Sequence, residues 1–379
     1  MPFVTTLLAL TACFSVDSRT LGSDDVEARR MPWVHEELHH KNPQDFVGGT
    51  FVRGELGAAG GVKLAPIAQP SNVEDDGSAS YESAVLAAKQ PFGELLASFN
   101  VDVPTGAGLW FEVRVGRKAD ELWTDWLRVG EWGNGQPSWA PTRTCNEGSI
   151  DVDYFKGNGV FDLAQYRIVA WRGEARAPQF KISRVDLTFS TRNGLAPAEG
   201  PKVEIPEAAW KLRLPVPFRS QKAVDPKLAP RVCSPTSLAM VLEFHGAKRG
   251  IEEVAKRVFD AEFDVYGNWT RAIQGGYTFG VAGYLTRCAD WRAVERSIAV
   301  GQPLVISIAA GPGDLAGAPY AETAGHLLVV TGFDESGNVC VNDPAAETEA
   351  TGVRTYTRTE LEKCWLARGG TAYVFLSKR

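Results

Sequence analysis

The sequence predicts two domains in a chain of 379 residues, an all-β antiparallel sandwich followed by an α+β domain. Three observations support this prediction. Between residues 46 and 192, short segments alternate apolar and polar residues and are separated by turn residues, which is typical of strands. Beyond residue 210, helical patterns come first and apolar strand-like runs follow. The chain is also 44% hydrophobic, which is enough apolar material for at least two cores.

The charge balance and the cysteines exclude several classes of protein. The chain has 40 Lys and Arg against 46 Asp and Glu, a net charge of −6, so we expect no electrostatic binding to nucleic acid. Its 6 cysteines are scattered and form no Cys-x-x-Cys pair, so they predict neither a disulfide scaffold nor structural zinc. We expect no cofactor and no metal.

Residues 1–13 resemble an export segment. The apolar run over residues 3–12 has about the length of a signal-peptide core and is too short to cross a bilayer. It ends in Leu10-Thr11-Ala12-Cys13, which resembles a lipobox and would make Cys13 a lipid anchor, the only membrane attachment we expect. No Lys or Arg precedes the run, as it would in an ordinary signal peptide. The segment predicts a secreted or lipid-anchored protein, and a cytoplasmic one if it is not a signal.

Residues 14–45 are polar and are interpreted as a linker. The tract from His35 to His39 matches His-Glu-x-x-His, the pattern that places two zinc-binding imidazoles on one helix. Pro32 and Pro43 leave room for only a short helix, and no apolar stripe would dock it on a core. We therefore reject a zinc site.

The segments of residues 46–192 have the period of half-buried strands. In residues 109–117, Phe111, Val113 and Val115 share one face, and charged residues occupy the other. The same alternation recurs in residues 166–172 and 179–189.

Tryptophan is in excess, 11 in all. Six of them lie in the predicted sandwich: Trp110, Trp123, Trp126, Trp132, Trp139 and Trp171. Such rings either stack on sugars, which would direct the protein to a cell envelope or a glycan-linked substrate, or fill the core. We favour packing in the core and at sheet edges, because large aromatic residues dominate the cores of short-stranded domains.

Residues 193–209, rich in Gly, Pro, Ala and Glu, are interpreted as a linker, and residues 210–379 as the α+β domain. Its helical patterns cover residues 234–245, 251–259 and 291–300, and its strand-like runs cover residues 303–308, 326–332, 339–342 and 372–376. Gly275-Gly276 and residues 311–313 are expected in connecting turns or in loops that line a cleft.

Cys233 is the first candidate for chemistry. Ser234 is a good N-cap and Pro235 suits the first helical position, so a helix is predicted to begin just after the cysteine. Free N–H groups at a helix N-terminus favour the thiolate, the nucleophilic form. The alternative is a thiol that is merely packed in the core.

A thiolate needs a proton partner, and the chain contains 5 histidines. Three lie in the predicted linker, and His245 ends the helix of Cys233, about 18 Å away by the helical rise. His326, at the head of a predicted strand, is the remaining candidate, with a core histidine as the alternative. Asp343 or its neighbour Asn342 could orient its imidazole if the strands at residues 326–332 and 339–342 form a hairpin. Strand alternation allows only one of the two to face His326, and Asp343 before proline could equally be a turn residue.

Together these residues resemble the C39-like cysteine peptidases, relatives of the bacteriocin-leader peptidases in the papain-like group. The resemblance spans about residues 214–376 and rests on residues 214–221, the Cys233 helix and residues 267–269, 301–303, 325–326 and 342–344. It implies that Cys233 is the nucleophile, His326 the base and Asp343 its orienting group. It also identifies Gln221 with the family's oxyanion-hole glutamine. Ser234 departs from the family, which often has glycine there.

The resemblance implies hydrolysis of a peptide or protein substrate through a thioacyl intermediate. Two alternatives stay open on the same fold: a non-catalytic binding protein, and a transferase that passes the acyl group to an amine or thiol. Cys288, Cys340 and Cys364 are interpreted as buried thiols, although an exported chain could pair two of them.

Overall fold

The computed structural model describes residues 32–57, 61–66, 77–134, 142–172, 179–192 and 205–376. They form an all-β antiparallel domain followed by a domain in which helices pack on an antiparallel sheet, as predicted. The predicted export segment, including Cys13, lies outside the described residues.

The N-terminal domain has thirteen strands among its described residues. They are β1 Val34–His40, β2 Thr50–Val52, β3 Gly54–Leu56, β4 Val62–Leu64, β5 Ala79–Glu82, β6 Leu86–Asp102, β7 Gly108–Arg117, β8 Leu122–Trp123, β9 Leu127–Gly133, β10 Thr144–Cys145, β11 Gly148–Asp151, β12 Tyr154–Trp171 and β13 Phe180–Thr191. Phe99 on β6 contacts Phe111 on β7, with ring centroids 5.1 Å apart, although these strands do not pair. Two layers therefore face each other across the core.

Strand β12 joins the two layers. Its first part pairs with β6 and its last part with β7 and β5. Between them, from Lys156 to Leu163, the register shifts twice. Such irregularities bend a strand, and a bent strand can pass from one layer to the other. The two layers of the predicted sandwich are thus continuous through hydrogen bonds.

The described tryptophans of this domain pack against protein. Trp110, Trp132 and Trp171 are buried, and the rings of Trp110 and Trp171 lie 4.9 Å apart. Trp123 and Trp126 are half-buried. The Arg114 guanidinium lies over both of their rings, 5.0 Å and 4.6 Å from the centroids. This arrangement is the packing that the sequence favoured; Trp139 lies outside the described residues.

The linker predicted over residues 14–45 is wrong for residues 34–40, which form β1 along β13. The histidines of the tract thus lie on a strand and not on a helix. Their polarity suggested a linker, but one ring nitrogen of each finds a partner inside the fold: the Nδ1 atoms of His35 and His39 lie 3.0 Å from Ser190 Oγ and 2.7 Å from Asp186 Oδ1. A paired strand can therefore consist mostly of polar residues when the fold supplies hydrogen-bond partners for them.

The C-terminal domain has the elements α1 Glu207–Trp210, α2 Cys233–Phe244, α3 Ile251–Val258, α4 Trp269–Thr278, β14 Gly283–Arg287, α5 Trp291–Ala299, β15 Leu304–Ala310, β16 Thr323–Phe333, β17 Val339–Asn342, α6 Glu349–Gly352, β18 Val353–Tyr356, α7 Arg358–Cys364 and β19 Thr371–Phe375. Six antiparallel strands lie in the order β14, β19, β15, β16, β17, β18. The three predicted helices and four predicted strands are present as α2, α3, α5, β15, β16, β17 and β19. Helix α1 begins inside the linker predicted over residues 193–209.

Helix α4 is the main element that the sequence did not predict. Gly275 and Gly276 lie in it and are buried, so the prediction that they form a turn or a cleft-lining loop is wrong. A Cβ at Gly275 would meet Val258 Cγ1 at 2.5 Å, and one at Gly276 would meet Phe375 Cε1 at 2.3 Å. These glycines permit close packing of a helix and do not mark a turn.

Candidate active site

Cys233 is the first residue of α2. The residue before it, Val232, is the N-cap, and its carbonyl accepts the Thr236 N–H at 3.0 Å. The helix therefore begins two residues earlier than the predicted cap at Ser234 implies, and Ser234 is not the cap. The Ser234 hydroxyl instead lies 3.2 Å from the Tyr373 hydroxyl on β19. The Cys233 thiol is consequently at the helix N-terminus, where unpaired N–H groups favour its ionised form.

The Cys233 thiol is hydrogen-bonded to His326. Burial disfavours the thiolate, but this hydrogen bond and the charge of His326 outweigh it and hold the pKa of Cys233 below its ordinary value. The backbone N–H groups of Leu327 and Ser234 also donate to the sulfur. The Leu327 carbonyl accepts the Ser237 hydroxyl at 3.0 Å, which fixes α2 against β16. The thiol and the imidazole are thus held together by the packing of a helix on a strand.

Asp343 contacts the far side of the imidazole. Strands β16 and β17 form the predicted hairpin, and His326 Nε2 lies 2.8 Å from Asp343 Oδ1. With Nε2 so engaged, Nδ1 is the nitrogen left for the thiol. Both residues are buried, which disfavours the imidazolium, yet the carboxylate and the thiol raise the pKa of His326 to about 10. The pair therefore favours thiolate and imidazolium over the neutral forms.

Asn342, the competitor of Asp343, points elsewhere. Its side-chain amide donates to the Val216 carbonyl at 2.9 Å and accepts from Arg213 at 3.3 Å. Because neighbouring side chains on a strand alternate between faces, only Asp343 faces the histidine.

Gln221 lies in a 3-10 turn over Gln221–Ala223 and is buried. Its backbone N–H donates to the Pro344 carbonyl at 2.9 Å, and its Nε2 donates to the Ala229 carbonyl at 2.9 Å. The turn that leads into Cys233 includes Ala229, and Pro344 follows Asp343. An amide nitrogen carries two hydrogens, and this geometry uses one of them. Gln221 is therefore tied to the segments that carry both the thiol and the carboxylate.

Two tyrosines that the sequence did not single out complete the surroundings of Asp343. The hydroxyls of Tyr320 and Tyr356 lie 3.1 Å and 3.5 Å from Asp343 Oδ2. The Tyr320 ring also packs edge-on against His326, with centroids 4.9 Å apart. Tyr320 lies in the loop between β15 and β16, which also contains Gly311 and Gly313. A lone tyrosine in such a loop carries no periodic signal that sequence analysis could detect.

The other described cysteines lie outside this arrangement. Cys145, Cys288, Cys340 and Cys364 are free thiols in the structure, and burial raises the pKa of each. Among the described cysteines, only Cys233 has a lowered pKa.

Two family models match the chain. Residues 213–373 match the Peptidase_C39 like family, and residues 37–190 match the Peptidase C39 N-terminal domain. The chain belongs to the C39-like peptidase family. Cysteine peptidase is accordingly its enzyme class, and Gln221, Cys233, His326 and Asp343 all fall inside the peptidase match.

Solved structures of C39 peptidases are similar to part of the chain. A putative C39-like peptidase from Bacillus anthracis is 20% identical, with coverage of 44% of this chain and 96% of that one and a TM-score of 0.33. A double glycine motif protease from an AMS/PCAT transporter, in complex with the leader peptide, is 18% identical, with coverage of 44% and 94% and a TM-score of 0.30. No curated protein matches. Among the described residues of this C39-like peptidase, no helix has the length and apolar character that a membrane span requires.

Proposed function

We propose that this C39-like peptidase hydrolyses peptide bonds with Cys233 as nucleophile, His326 as general base and acid, and Asp343 as the group that orients the imidazole. The observation that carries the proposal is the continuous chain of contacts from the thiol to His326 and on to Asp343, at 2.8 Å, starting at a helix N-terminus. A nucleophile on a helix and its base on a neighbouring strand also support the papain-like assignment of the fold.

Each step of the reaction has a group in place. The Cys233 thiolate attacks the scissile carbonyl, and His326 gives its proton to the leaving amine, which yields a thioacyl enzyme. His326 then takes a proton from water as the water oxygen attacks the thioester carbonyl, and collapse of the tetrahedral intermediate breaks the C–S bond, releases the carboxylic acid and restores the Cys233 thiolate beside the imidazolium. Asp343 holds one ring orientation throughout and stabilises the imidazolium.

Gln221 is proposed to stabilise the oxyanion of the tetrahedral intermediates. Its Nε2 keeps one hydrogen that the bond to Ala229 does not use, and it is anchored on the turn that leads to Cys233. The free N–H groups of the first turn of α2 would supply further donors to the same oxygen. Two donors fixed before the reaction begins need no reorganisation as the charge develops.

A digest of a peptide library tests this proposal. The parent protein should cleave peptides, Cys233→Ala should abolish cleavage, and Cys145→Ala, which alters a half-buried thiol in the other domain, should leave it intact. Cleavage that survives Cys233→Ala would overturn the assignment of the nucleophile, and no cleavage by the parent would favour the binding protein. Products that carry an added amine or thiol would identify the transferase.

Export also remains a proposal. It rests on the apolar run at residues 3–12 and the cysteine that follows. Fractionation of cells that express the parent or Cys13→Ala would test it. Lipid anchoring predicts that the parent is found with membranes and that the variant is released from them, whereas a cytoplasmic parent would refute export.

A further inference from the structure

The open edge of the catalytic sheet faces the N-terminal domain. Among the described residues, strand β14 pairs with β19 on one side only, and the backbone groups on its other side have no strand partner there. An unpaired edge of this kind invites aggregation and is usually protected in native proteins. We infer that the N-terminal domain is a fixed structural partner that completes this edge, so that the two domains fold and unfold as one unit.

Side chains of the N-terminal domain take the place of a neighbouring strand. The Asn100 amide accepts the Gly283 N–H at 3.1 Å and donates to the Gly283 carbonyl at 3.0 Å, the two bonds that a paired residue would make. Ser98 Oγ accepts the Leu285 N–H at 3.0 Å. The Thr188 hydroxyl lies 3.5 Å from the Leu285 carbonyl. The outward backbone groups of Gly283 and Leu285 are thus matched by side chains of β6 and β13.

Side chains of the catalytic domain make the same kind of contact with the backbone of the N-terminal domain. On α4, the Gln274 amide accepts the Val101 N–H at 3.0 Å and donates to the Val101 carbonyl at 2.7 Å. One turn earlier on α4, the Thr270 hydroxyl donates to the Ala97 carbonyl at 2.8 Å. Gln274 and Thr270 are fully buried, as are Asn100 and Ser98. The Asn100 and Gln274 side chains therefore each bond to both backbone groups of one residue in the other domain. Both amides lie in the interior, where water cannot replace their partners.

Apolar and charged contacts continue the same surface. Leu96 of β6 belongs to the hydrophobic core of the catalytic domain, and Tyr154 packs against that core. The Glu262 carboxylate lies 2.9 Å from Arg128 and 3.0 Å from Arg143, both in the N-terminal domain. The interface between the two domains therefore includes apolar contacts in the core and ion pairs nearer the solvent.

These contacts between the domains predict that the two domains unfold cooperatively. Domain interfaces within a chain usually resemble transient contacts, and relative motion is the default unless the interface is extensive and buried. Here, separation would exchange the buried hydrogen bonds for bonds to water and would also expose the apolar surface of Leu96 and Tyr154, and both changes cost free energy. The N-terminal domain is accordingly part of the structural unit that carries the active site and not a detachable targeting module.

Hydrogen exchange of the full-length protein in increasing urea, followed by mass spectrometry, tests this inference. Peptides from β13 report on one domain and peptides from β16 on the other. One shared unfolding midpoint is expected. Two separate midpoints, with one domain still protected while the other exchanges, would overturn the inference. The measurement needs no substrate and is independent of the proposed catalytic function.

Substitutions at the interface sharpen the test. Asn100→Leu keeps the approximate volume and removes both bonds to Gly283, so it should lower the midpoints of both domains together. Ser98→Ala, which removes a single bond, gives a milder and measurable decrease if Asn100→Leu does not fold. Asn158→Leu, the same exchange at an exposed site where the amide donates only to the Asn146 carbonyl of its own domain, should change both midpoints far less than Asn100→Leu. A decrease confined to one domain would contradict a shared unit.

Discussion

Replacing His326 by alanine should abolish the unusual reactivity of Cys233. In the parent, the thiol is paired with an imidazole whose pKa is raised to about 10, and the pKa of the thiol is lowered. The imidazolium therefore favours the thiolate beside it. In His326→Ala the burial of Cys233 remains, while the group that outweighed it is gone.

The size of the effect follows from the ionised fraction. An ordinary cysteine with a pKa of about 8.5 is only about 3% thiolate at pH 7, so the step from a fully ionised thiolate to an ordinary thiol corresponds to about 30-fold slower alkylation. A thiolate of low pKa is intrinsically less nucleophilic, which reduces the expected decrease to roughly 10-fold. Because the thiol of the variant should ionise near or above its ordinary pKa, raising the pH toward 10 should restore much of the rate.

Alkylation by iodoacetamide, read by mass spectrometry of the Cys233 peptide, measures this rate without a substrate. Cys145, which is half-buried and has a raised pKa, is an internal reference in the same sample. Cys233 should react much faster than Cys145 in the parent and lose this advantage in His326→Ala. Equal rates for the two cysteines in the parent, or an unchanged Cys233 rate in the variant, would refute the reasoning.

Three further predictions concern the site and its support. Gln221→Ala should lower kcat roughly 10²- to 10³-fold while the alkylation rate of Cys233 stays near that of the parent, because the amide acts on the oxyanion and not on the thiol; a matching loss of alkylation would refute this role. Asp343→Asn removes the charge that raises the pKa of His326, so the imidazolium, which must protonate the leaving amine, should lose its proton at lower pH and the upper limb of the pH profile of peptide cleavage should move to lower pH; an unmoved limb would contradict it. Gly276→Ala places a Cβ against Phe375 and should destabilise the fold by about 1–3 kcal/mol, measured by urea unfolding, whereas an unchanged midpoint would show that the helix accommodates it.

The arrangement of the candidate site could be predicted largely from local signals. Cys233 lies beside Ser234 and Pro235, residue types that favour a helix start, and His326 and Asp343 flank two apolar runs that are close enough in sequence to form a hairpin. Alternation along β17 left Asp343 and Asn342 as competitors, and the contact with His326 distinguishes them. The roles of Cys233, His326, Asp343 and Gln221 remain predictions until the variants are measured.

The elements that escaped prediction depend on contacts between distant parts of the chain. Helix α4 has a good N-cap in Asn268 and a buried stripe that includes Ala272 and Ile273, but its two glycines resemble a turn until Val258 and Phe375 are in place. Strand β1 has few apolar residues, because its polar side chains bond to partners about 150 residues away. Tertiary context overrides local preference at both places.

The excess of tryptophan in the N-terminal domain suggests a binding role that its packing does not support. Sequence analysis separates a domain rich in tryptophan from a domain that carries the candidate chemistry, and such a division suggests a module that binds something else. Most of the described rings, however, are packed among the strands of their own domain, and Trp132 also lies against the catalytic domain, with Arg271 5.2 Å from its centroid. The buried hydrogen bonds to the edge strand β14 are made by Asn100, Ser98 and Thr188. These small polar residues carry no distinctive sequence signal, since Asn and Ser favour turns at least as often as buried strands. The residues that join the N-terminal domain to the catalytic domain are therefore residues that no sequence pattern indicates.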